Sequence, residues 1–149
     1  MERKLVVIEE DIKNKVYNIR GNQVILDRDL AELYGVQTKR INEAVKNNID
    51  KFPSDFYFEL TELEFSDLRS KNSTANFSKI RVNPKAFTEQ GIYMLATILK
   101  SKVATDVTLS IIRTFSKMRH FLSMNMEMFE RFERVEQRLS IHDYNFDKI

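Results

Sequence analysis

Apolar positions between residues 29 and 49 follow a helical period that is interrupted once, at a glycine. Leu30, Leu33 and Tyr34 are spaced three and four residues apart, which is typical of one buried helix face. Gly35 follows them, at a point where a chain leaving a helix often takes a left-handed conformation that glycine adopts at little cost. The spacing therefore predicts a first helix that ends at Gly35.

A second helix is predicted to begin at Gln37 or Thr38, with one apolar side and one polar side. The predicted inner side consists of Ile41, Ala44, Val45 and Asn48. The predicted outward side consists of Thr38, Lys39, Asn42, Lys46 and Asn47. Two helices joined by a tight glycine turn form the helix-turn-helix arrangement, whose second helix can enter a DNA major groove. The alternative is an ordinary helical hairpin within a core.

Short β elements are predicted on both sides of this helix pair. Residues 16–20 and 24–26 flank a Gly-Asn turn and predict a β-hairpin, and Asp27 is expected to cap the first helix. An aromatic strand is expected over 56–60, and a polar loop followed by a strand at 77–82 resembles a wing. Residues 5–8 fit either a strand or the start of a helix.

Helix-capping signals mark the remaining elements. Thr61 and Glu64 have the spacing of a capping box that opens a short helix. Thr88 is expected to cap a helix that ends near residue 100, and Gly91 inside it predicts a close contact or a special turn. Ser101 is expected to start a longer helix. The predicted core-facing residues of that helix are Val103, Val107, Ile111, Ile112, Phe115, Met118 and Leu122.

The last part of the chain has a heptad-like pattern with charged residues on its other faces. The apolar seam consists of Phe121, Asn125, Met128, Phe132, Val135, Leu139 and His142. About three heptads predict either a helix that forms a homodimer, the interpretation favoured here, or an arm that folds back on the domain. The expected organisation is an N-terminal extension (1–15), a DNA-binding domain (16–122) and a C-terminal helix (123–149). The expected fold is α+β: a winged helix-turn-helix-like domain with small antiparallel β elements, followed by long C-terminal helices.

Composition narrows the class of protein. A chain of 149 residues that is 42% hydrophobic and 31% charged is typical of one globular domain. No apolar run approaches the roughly 20 residues that a membrane span needs, and the N-terminal run is too short for a signal peptide. The absence of cysteine excludes disulfides and thiolate metal sites, so a cytoplasmic location is expected.

Enzyme signals are poor. His120 and His142 have no carboxylate or cysteine neighbours at metal-ligand spacing, and the three glycines are isolated. No nucleophile motif is recognisable. Catalysis, a bound metal and a cofactor are therefore not expected.

The distribution of charges along the chain supports binding to nucleic acid more strongly than the net charge of +2 does. Lysine and arginine can meet phosphates or guanine edges, whereas asparagine and glutamine can recognise adenine in the major groove. The basic run from residue 69 to 85 contains no acid and is expected to contact the DNA backbone; a solvated loop is the alternative. The candidate DNA-binding residues are Gln37, Thr38, Lys39, Arg40, Asn42, Lys46, Asn47, Lys71, Lys79, Arg81 and Lys85.

Two long blocks resemble a known family. The run IRGNQVILDRDLAELYGVQTKRINEAVKNNIDKFPSDFYFELT (19–61) and the run AFTEQGIYMLATILKSKVATDVTLSIIRTFSKMR (86–119) are similar to the phage "open reading frame six" N-terminal domain. That domain belongs to the KilA-N and Bro-N superfamily, and the likeness covers about residues 16–122. The resemblance implies a DNA-binding domain of phage antirepressors and regulators.

Two classes of function follow as expectations. The first is a dimeric regulator that binds double-stranded DNA sequence-specifically and controls prophage or host transcription, with no membrane partner. The second is a protein-interaction module that binds a repressor without contacting DNA. The salt dependence of binding to duplex DNA discriminates between them.

Overall fold

The computed structural model describes the backbone of residues 2–71 and 82–147 and the side chains of residues 9–71 and 82–136. Backbone contacts divide the chain into two compact units, Met1–Thr114 and Phe115–Ile149. Within the described ranges the elements are, in chain order, α1 (Glu2–Lys15), β1 (Val16–Ile19), β2 (Asn22–Leu26), α2 (Asp27–Tyr34), α3 (Thr38–Asn47), a 3-10 helix (Ile49–Lys51), β3 (Tyr57–Glu59), α4 (Glu62–Lys71), β4 (Lys85–Thr88), α5 (Glu89–Leu99) and α6 (Lys102–Asp147). The predicted α+β class is confirmed.

The four strands form one antiparallel sheet in the order β1-β2-β4-β3. The predicted hairpin is present, and Ile19 lies opposite Asn22 in its register. The loop therefore consists of Arg20 and Gly21, whose φ angles are 56° and 75°. Two positive φ angles in a two-residue loop match the right-handed twist of the paired strands. The turn thus lies one residue earlier than the predicted Gly-Asn turn.

Strand β4 was not predicted, although it lies inside the sheet between β2 and β3. It has only four residues and follows Pro84, so its sequence shows no clear alternation. Ala86 and Phe87 are nonetheless fully buried, because helices α4, α2 and α5 pack on the sheet where β4 lies, and strands pair with β4 on both sides. The wing strand expected at 77–82 lies outside the described residues, apart from the exposed Val82.

The core of the N-terminal unit lies on both faces of this sheet. On one face, Val24 and Leu26 belong to a buried cluster with Phe65 and Leu68 of α4. On the other face, α2 contacts β2 and β4, and α5 contacts β4 and α3. Helix α2 therefore rests on the two central strands, whereas α3 packs against α2 and α5.

The first residues of the chain are helical. Residues 5–8, which fitted either a strand or a helix, belong to α1. Ile12 of α1 is fully buried. Lys15, at the end of α1, lies 2.7 Å from Asp11 and 3.8 Å from Glu32 of α2. The segment predicted as an extension therefore contributes a side chain to the core.

The capping box at the start of α4 is confirmed in both directions. The Thr61 backbone N–H donates to Glu64 Oε1 over 2.9 Å, and the Glu64 backbone N–H donates to Thr61 Oγ1 over 3.1 Å. Arg20, from the hairpin turn, donates to both oxygens of the same carboxylate over 2.8 and 2.9 Å. These hydrogen bonds, above all those from Arg20, lower the pKa of Glu64 from an ordinary value of 4.5 to about 2.

This lowered pKa predicts an acid-sensitive contribution to stability. The folded protein holds the Glu64 carboxylate ionised, so the stabilisation is complete above pH 4.5 and is lost as pH falls towards 2. Glu64→Gln keeps an oxygen for the Thr61 N–H but removes the charge. We expect the melting temperature of the wild type to exceed that of Glu64→Gln at pH 6, and the difference to shrink as pH is lowered to 3. An equal difference at both pH values would contradict the assignment.

Helices α5 and α6 begin at the predicted caps. Thr88 Oγ1 accepts a hydrogen bond from the Gly91 N–H over 3.4 Å, and Ser101 Oγ accepts one from the Ala104 N–H over 3.0 Å. Lys100 adopts a left-handed φ of 53° and ends α5. A Cβ atom placed on Gly91 would lie 1.9 Å from the Phe56 carbonyl oxygen. The predicted close contact at Gly91 is therefore confirmed.

The buried face of α6 within the N-terminal unit agrees with the predicted one at Ile111 but not at Val103. Val103 was expected to face the core but is 59% exposed, whereas Ala104, Thr108 and Ile111 are buried. The Tyr34 hydroxyl of α2 lies 2.7 Å from Thr108 Oγ1, so this face carries a polar contact that a search for apolar periodicity overlooks. Burial raises the pKa of Tyr34 to about 12.

The second unit contains the C-terminal part of α6. The helix continues to Asp147 without a break, although the sequence pattern changes near Phe121. Every described side chain from residue 119 to 136 is exposed. Leu139 and His142 of the predicted heptad seam lie beyond the described side chains.

Candidate nucleic-acid interface

The turn between α2 and α3 is built around Gly35. Its φ of 70° and ψ of 32° place it in the left-handed region, as the sequence predicts. Its N–H donates to the Glu32 carbonyl, and the Val36 N–H donates to the Ala31 carbonyl over 3.0 Å. These bonds satisfy the last carbonyls of α2 and direct the chain into α3. Three residues, 35–37, thus join two helices, as in a helix-turn-helix unit.

Helix α3 has one buried side and one exposed side. Ile41 and Val45 are buried as predicted, and Ala44 and Asn48 are half-buried on the same side. Of the candidate site residues at this helix, the exposed ones are Gln37, Lys39, Arg40, Lys46 and Asn47. Thr38, at the first position of α3, is half-buried. The buried pair anchors the helix while the cations and amides face solvent.

One carboxylate interrupts this basic face. Glu43 lies one turn after Lys39, and its Oε1 is 3.9 Å from Lys39 Nζ. The two side chains remain 57% and 80% exposed. Exposed ion pairs of this kind contribute roughly 0.2–1 kcal/mol, so an anionic ligand can replace Glu43 as the partner of Lys39. Glu43 was not among the predicted site residues.

The prediction that Asn42 faces outward is wrong. Its side chain is partly buried, and Nδ2 donates a hydrogen bond to Asp27 Oδ2 over 3.2 Å. Its Oδ1 is buried without a hydrogen-bond partner among the described residues. A helical wheel places Asn42 at the edge of the polar side, but the carboxylate that draws it inward lies 15 residues earlier in the chain.

Asp27 connects three elements instead of capping α2. The residue before α2 is Leu26, and it makes no side-chain cap. The Asp27 carboxylate is 5% exposed, and it accepts hydrogen bonds from the backbone N–H groups of Arg28 and Lys85 over 2.9 and 3.3 Å. With Asn42 as the third donor, Asp27 ties α3 to the start of α2 and to β4. The Asp27–Asn42 contact therefore fixes the position of α3 on the sheet.

This arrangement gives Asn42 a structural role that a stability measurement can test. We expect Asn42→Ala to lower the free energy of unfolding by about 1–3 kcal/mol, because a buried carboxylate oxygen of Asp27 loses its donor. Lys39→Ala, one turn earlier on the exposed side, is the matched control and is expected to change it by less than about 0.5 kcal/mol. Urea titrations of both variants measure the difference. Equal stability of the two variants would contradict this role for Asn42.

Burial also changes the charge of α2. It raises the pKa of the Asp29 carboxyl to about 6, while the nearby Lys15 ammonium acts in the opposite direction. Helix α2 therefore gains a negative charge as pH rises through about 6.

Of the candidate residues between 69 and 85, the structure describes Lys71 and Lys85. Lys71 is exposed at the end of α4, and its Nζ lies 3.2 Å from Asp67. Lys85 is half-buried in β4, where its backbone N–H donates to Asp27. Lys79 and Arg81 lie outside the described residues. The structure thus groups the candidates that lie on and just before α3.

The described part of the chain contains no group of three or more histidine, cysteine, aspartate or glutamate side chains placed to hold a metal ion. None of its helices combines the length and the apolar character needed to cross a bilayer.

Fold and site together define an α+β domain in which a short glycine turn joins α2 to α3, and the exposed side of α3 is largely basic. The ORF6N domain family matches residues 14–98, which is more than half of the chain. The chain belongs to this family, so the resemblance seen in the sequence is confirmed over those residues. No curated protein and no solved structure shows significant similarity to the chain. Family membership indicates a phage-associated regulatory domain.

Proposed function

We propose that this protein regulates transcription in a phage or prophage by binding double-stranded DNA through the exposed side of α3. The observation that carries the proposal is the group of three cations and two amides at this helix, Lys39, Arg40, Lys46, Gln37 and Asn47. A helix with this composition matches what a major groove offers, namely phosphates on its rims and hydrogen-bonding base edges on its floor.

Each kind of side chain has a separate task in this proposal. The cations neutralise phosphates and hold α3 in register, which supplies most of the affinity and little sequence preference. The amides of Gln37 and Asn47 each combine a donor with an acceptor, as recognition of an adenine edge requires. The buried side chains of Ile41 and Val45 and the Asp27–Asn42 hydrogen bond hold α3 in one orientation, with its cations and the amides of Gln37 and Asn47 facing outward.

The salt dependence of duplex binding tests the proposal. The full-length wild type is titrated against a fluorescent random-sequence duplex at several salt concentrations between 50 and 200 mM. If about five phosphates are contacted, we expect affinity to fall several hundredfold across this range. No binding to duplex DNA at 50 mM salt would overturn the proposal and favour the alternative, a module that binds a repressor protein.

A further inference from the structure

The C-terminal unit exposes a large apolar helix face. Among the side chains described in this unit, the apolar ones that are at least half exposed are Phe121, Leu122, Met124, Met126, Met128, Phe129, Phe132 and Val135. Burying one such side chain is worth roughly 1.5–3 kcal/mol, so a run of them in water is costly. Contiguous exposed apolar surface of this kind marks an interaction site.

The spacing of these residues selects one heptad frame. Met118, Asn125 and Phe132 recur every seven residues, and three residues after each of them stand Phe121, Met128 and Val135. A competing frame would use the residues four positions after each of the first three, namely Leu122, Phe129 and Glu136. That frame places the charged Glu136 in the apolar seam. The first frame therefore gives the continuous a and d seam of a coiled coil, with Met118 at a and Phe121 at d.

Asn125 indicates that the partner covering this apolar face is a second copy of this chain. It stands at an a position, where a single asparagine can hydrogen-bond to the same residue of an identical helix. Such a pair forms only when two helices run parallel and in register. An asparagine in this column specifies a two-stranded pair at some cost in stability.

The charges that flank the seam also favour a second copy of this chain as the partner. Arg131 falls at a g position and Glu136 at the e position five residues later. In a parallel in-register pair these two positions face each other across the seam, once on each side. Arg131 Nη2 now lies 3.1 Å from Glu127 of its own helix, but both side chains are more than 60% exposed, so that pair exchanges easily.

We propose that residues 118–136 of α6 join two copies of this chain as a parallel, in-register, two-stranded coiled coil. Chain connectivity then attaches both N-terminal units to the same end of the coiled coil. If α3 binds DNA as proposed above, the pair fits a DNA site made of two equivalent half-sites. The dimer itself does not depend on DNA binding and is tested without DNA.

Disulfide trapping tests the direction and register of the helices. The chain contains no cysteine, so Val135→Cys introduces a unique thiol at the far d position of the described seam. In the proposed dimer the two Cys side chains face each other, and mild oxidation is expected to link at least half of the full-length chains as dimers. Glu130→Cys, at an outer f position of the same helix, is the matched control and is expected to remain largely unlinked.

The alternatives give different results. Met118 and Val135 lie 17 positions apart, about 25 Å along the helix, so an antiparallel pair holds the two position-135 thiols too far apart to react. Equal linkage of the Val135→Cys and Glu130→Cys variants, or none in either, would overturn the proposal. So would a monomeric mass for the unmodified wild type by light scattering at 50 μM, or a mass above that of a dimer.

Charge reversal tests the contact between Arg131 and Glu136 separately. Arg131→Glu and Glu136→Arg each place like charges across the seam, and each is expected to weaken dimerisation at least threefold in sedimentation equilibrium. The double variant restores opposite charges and is expected to recover most of the wild-type affinity. If the double variant is as weak as the singles, the two residues do not face each other and the parallel register is rejected.

Discussion

Replacing Gly91 by alanine is expected to lower the free energy of unfolding by roughly 3 kcal/mol. A Cβ atom at this position would lie 1.9 Å from the Phe56 carbonyl oxygen and 2.9 Å from its carbonyl carbon. Both are backbone atoms, so no side-chain rotation relieves the clash. The same carbonyl accepts hydrogen bonds from the Thr88 backbone N–H over 3.1 Å and from Thr88 Oγ1 over 3.3 Å. Displacing it therefore disturbs the junction between β4 and α5.

The sign of this prediction is informative, because helix propensity alone predicts the reverse. Alanine is favoured over glycine inside a helix by about 1 kcal/mol. Gln90→Ala, the preceding and exposed position of α5, is the matched control and is expected to change stability by less than about 0.5 kcal/mol. Thermal and urea unfolding of both variants measure the difference. A Gly91→Ala variant as stable as the wild type would show that α5 does not pack on Phe56 as described.

Removing all three cations of α3 is expected to abolish most DNA affinity without unfolding the protein. The triple variant Lys39→Ala/Arg40→Ala/Lys46→Ala removes about three phosphate contacts, so the slope of log affinity against log salt should fall by about three. We expect at least a hundredfold weaker binding to duplex DNA at 100 mM salt. All three side chains are exposed, so the melting temperature should change by only a few degrees.

A matched control separates local contacts from general charge. Lys102→Ala removes an exposed lysine at the start of α6, and Lys13→Ala removes one from α1. Each is expected to change duplex affinity less than threefold. If the combined variant Lys13→Ala/Lys102→Ala weakens binding as much as the α3 variant, net charge alone drives association, and α3 is not the contact surface.

Local sequence signals predicted the elements that depend on neighbouring residues. The glycine turn at Gly35, the capping box at Thr61 and the cap at Thr88 are all formed within a few residues along the chain. The inner side of α3 was predicted because a helical period identifies the buried face. The close contact at Gly91 was predicted because an unexplained glycine inside a helix requires a reason.

Other features depend on partners distant in sequence. Strand β4 is a strand because β2 and β3 flank it, and nothing in its four residues reveals that. Asn42 lies between the polar and apolar sides of α3, and its hydrogen bond to the buried carboxylate of Asp27 turns its side chain inward. Asp27 itself was predicted as a local cap, whereas the approach of β4 gives it a donor 58 residues away. These predictions differ from the structure because burial and hydrogen bonds to distant residues decide these features, and neither can be read from the residue and its neighbours in sequence.

Recognition of base edges by α3 is tested most directly by selecting bound duplexes from a random pool, with the full-length wild type and the variant Gln37→Ala/Asn47→Ala side by side. We expect the wild type to enrich one shared sequence, and the variant to enrich it with base preference lost at one or more positions, since each amide–base contact is worth about 1–3 kcal/mol. An identical sequence preference for both proteins, or no shared sequence for the wild type, would contradict reading of the groove by α3.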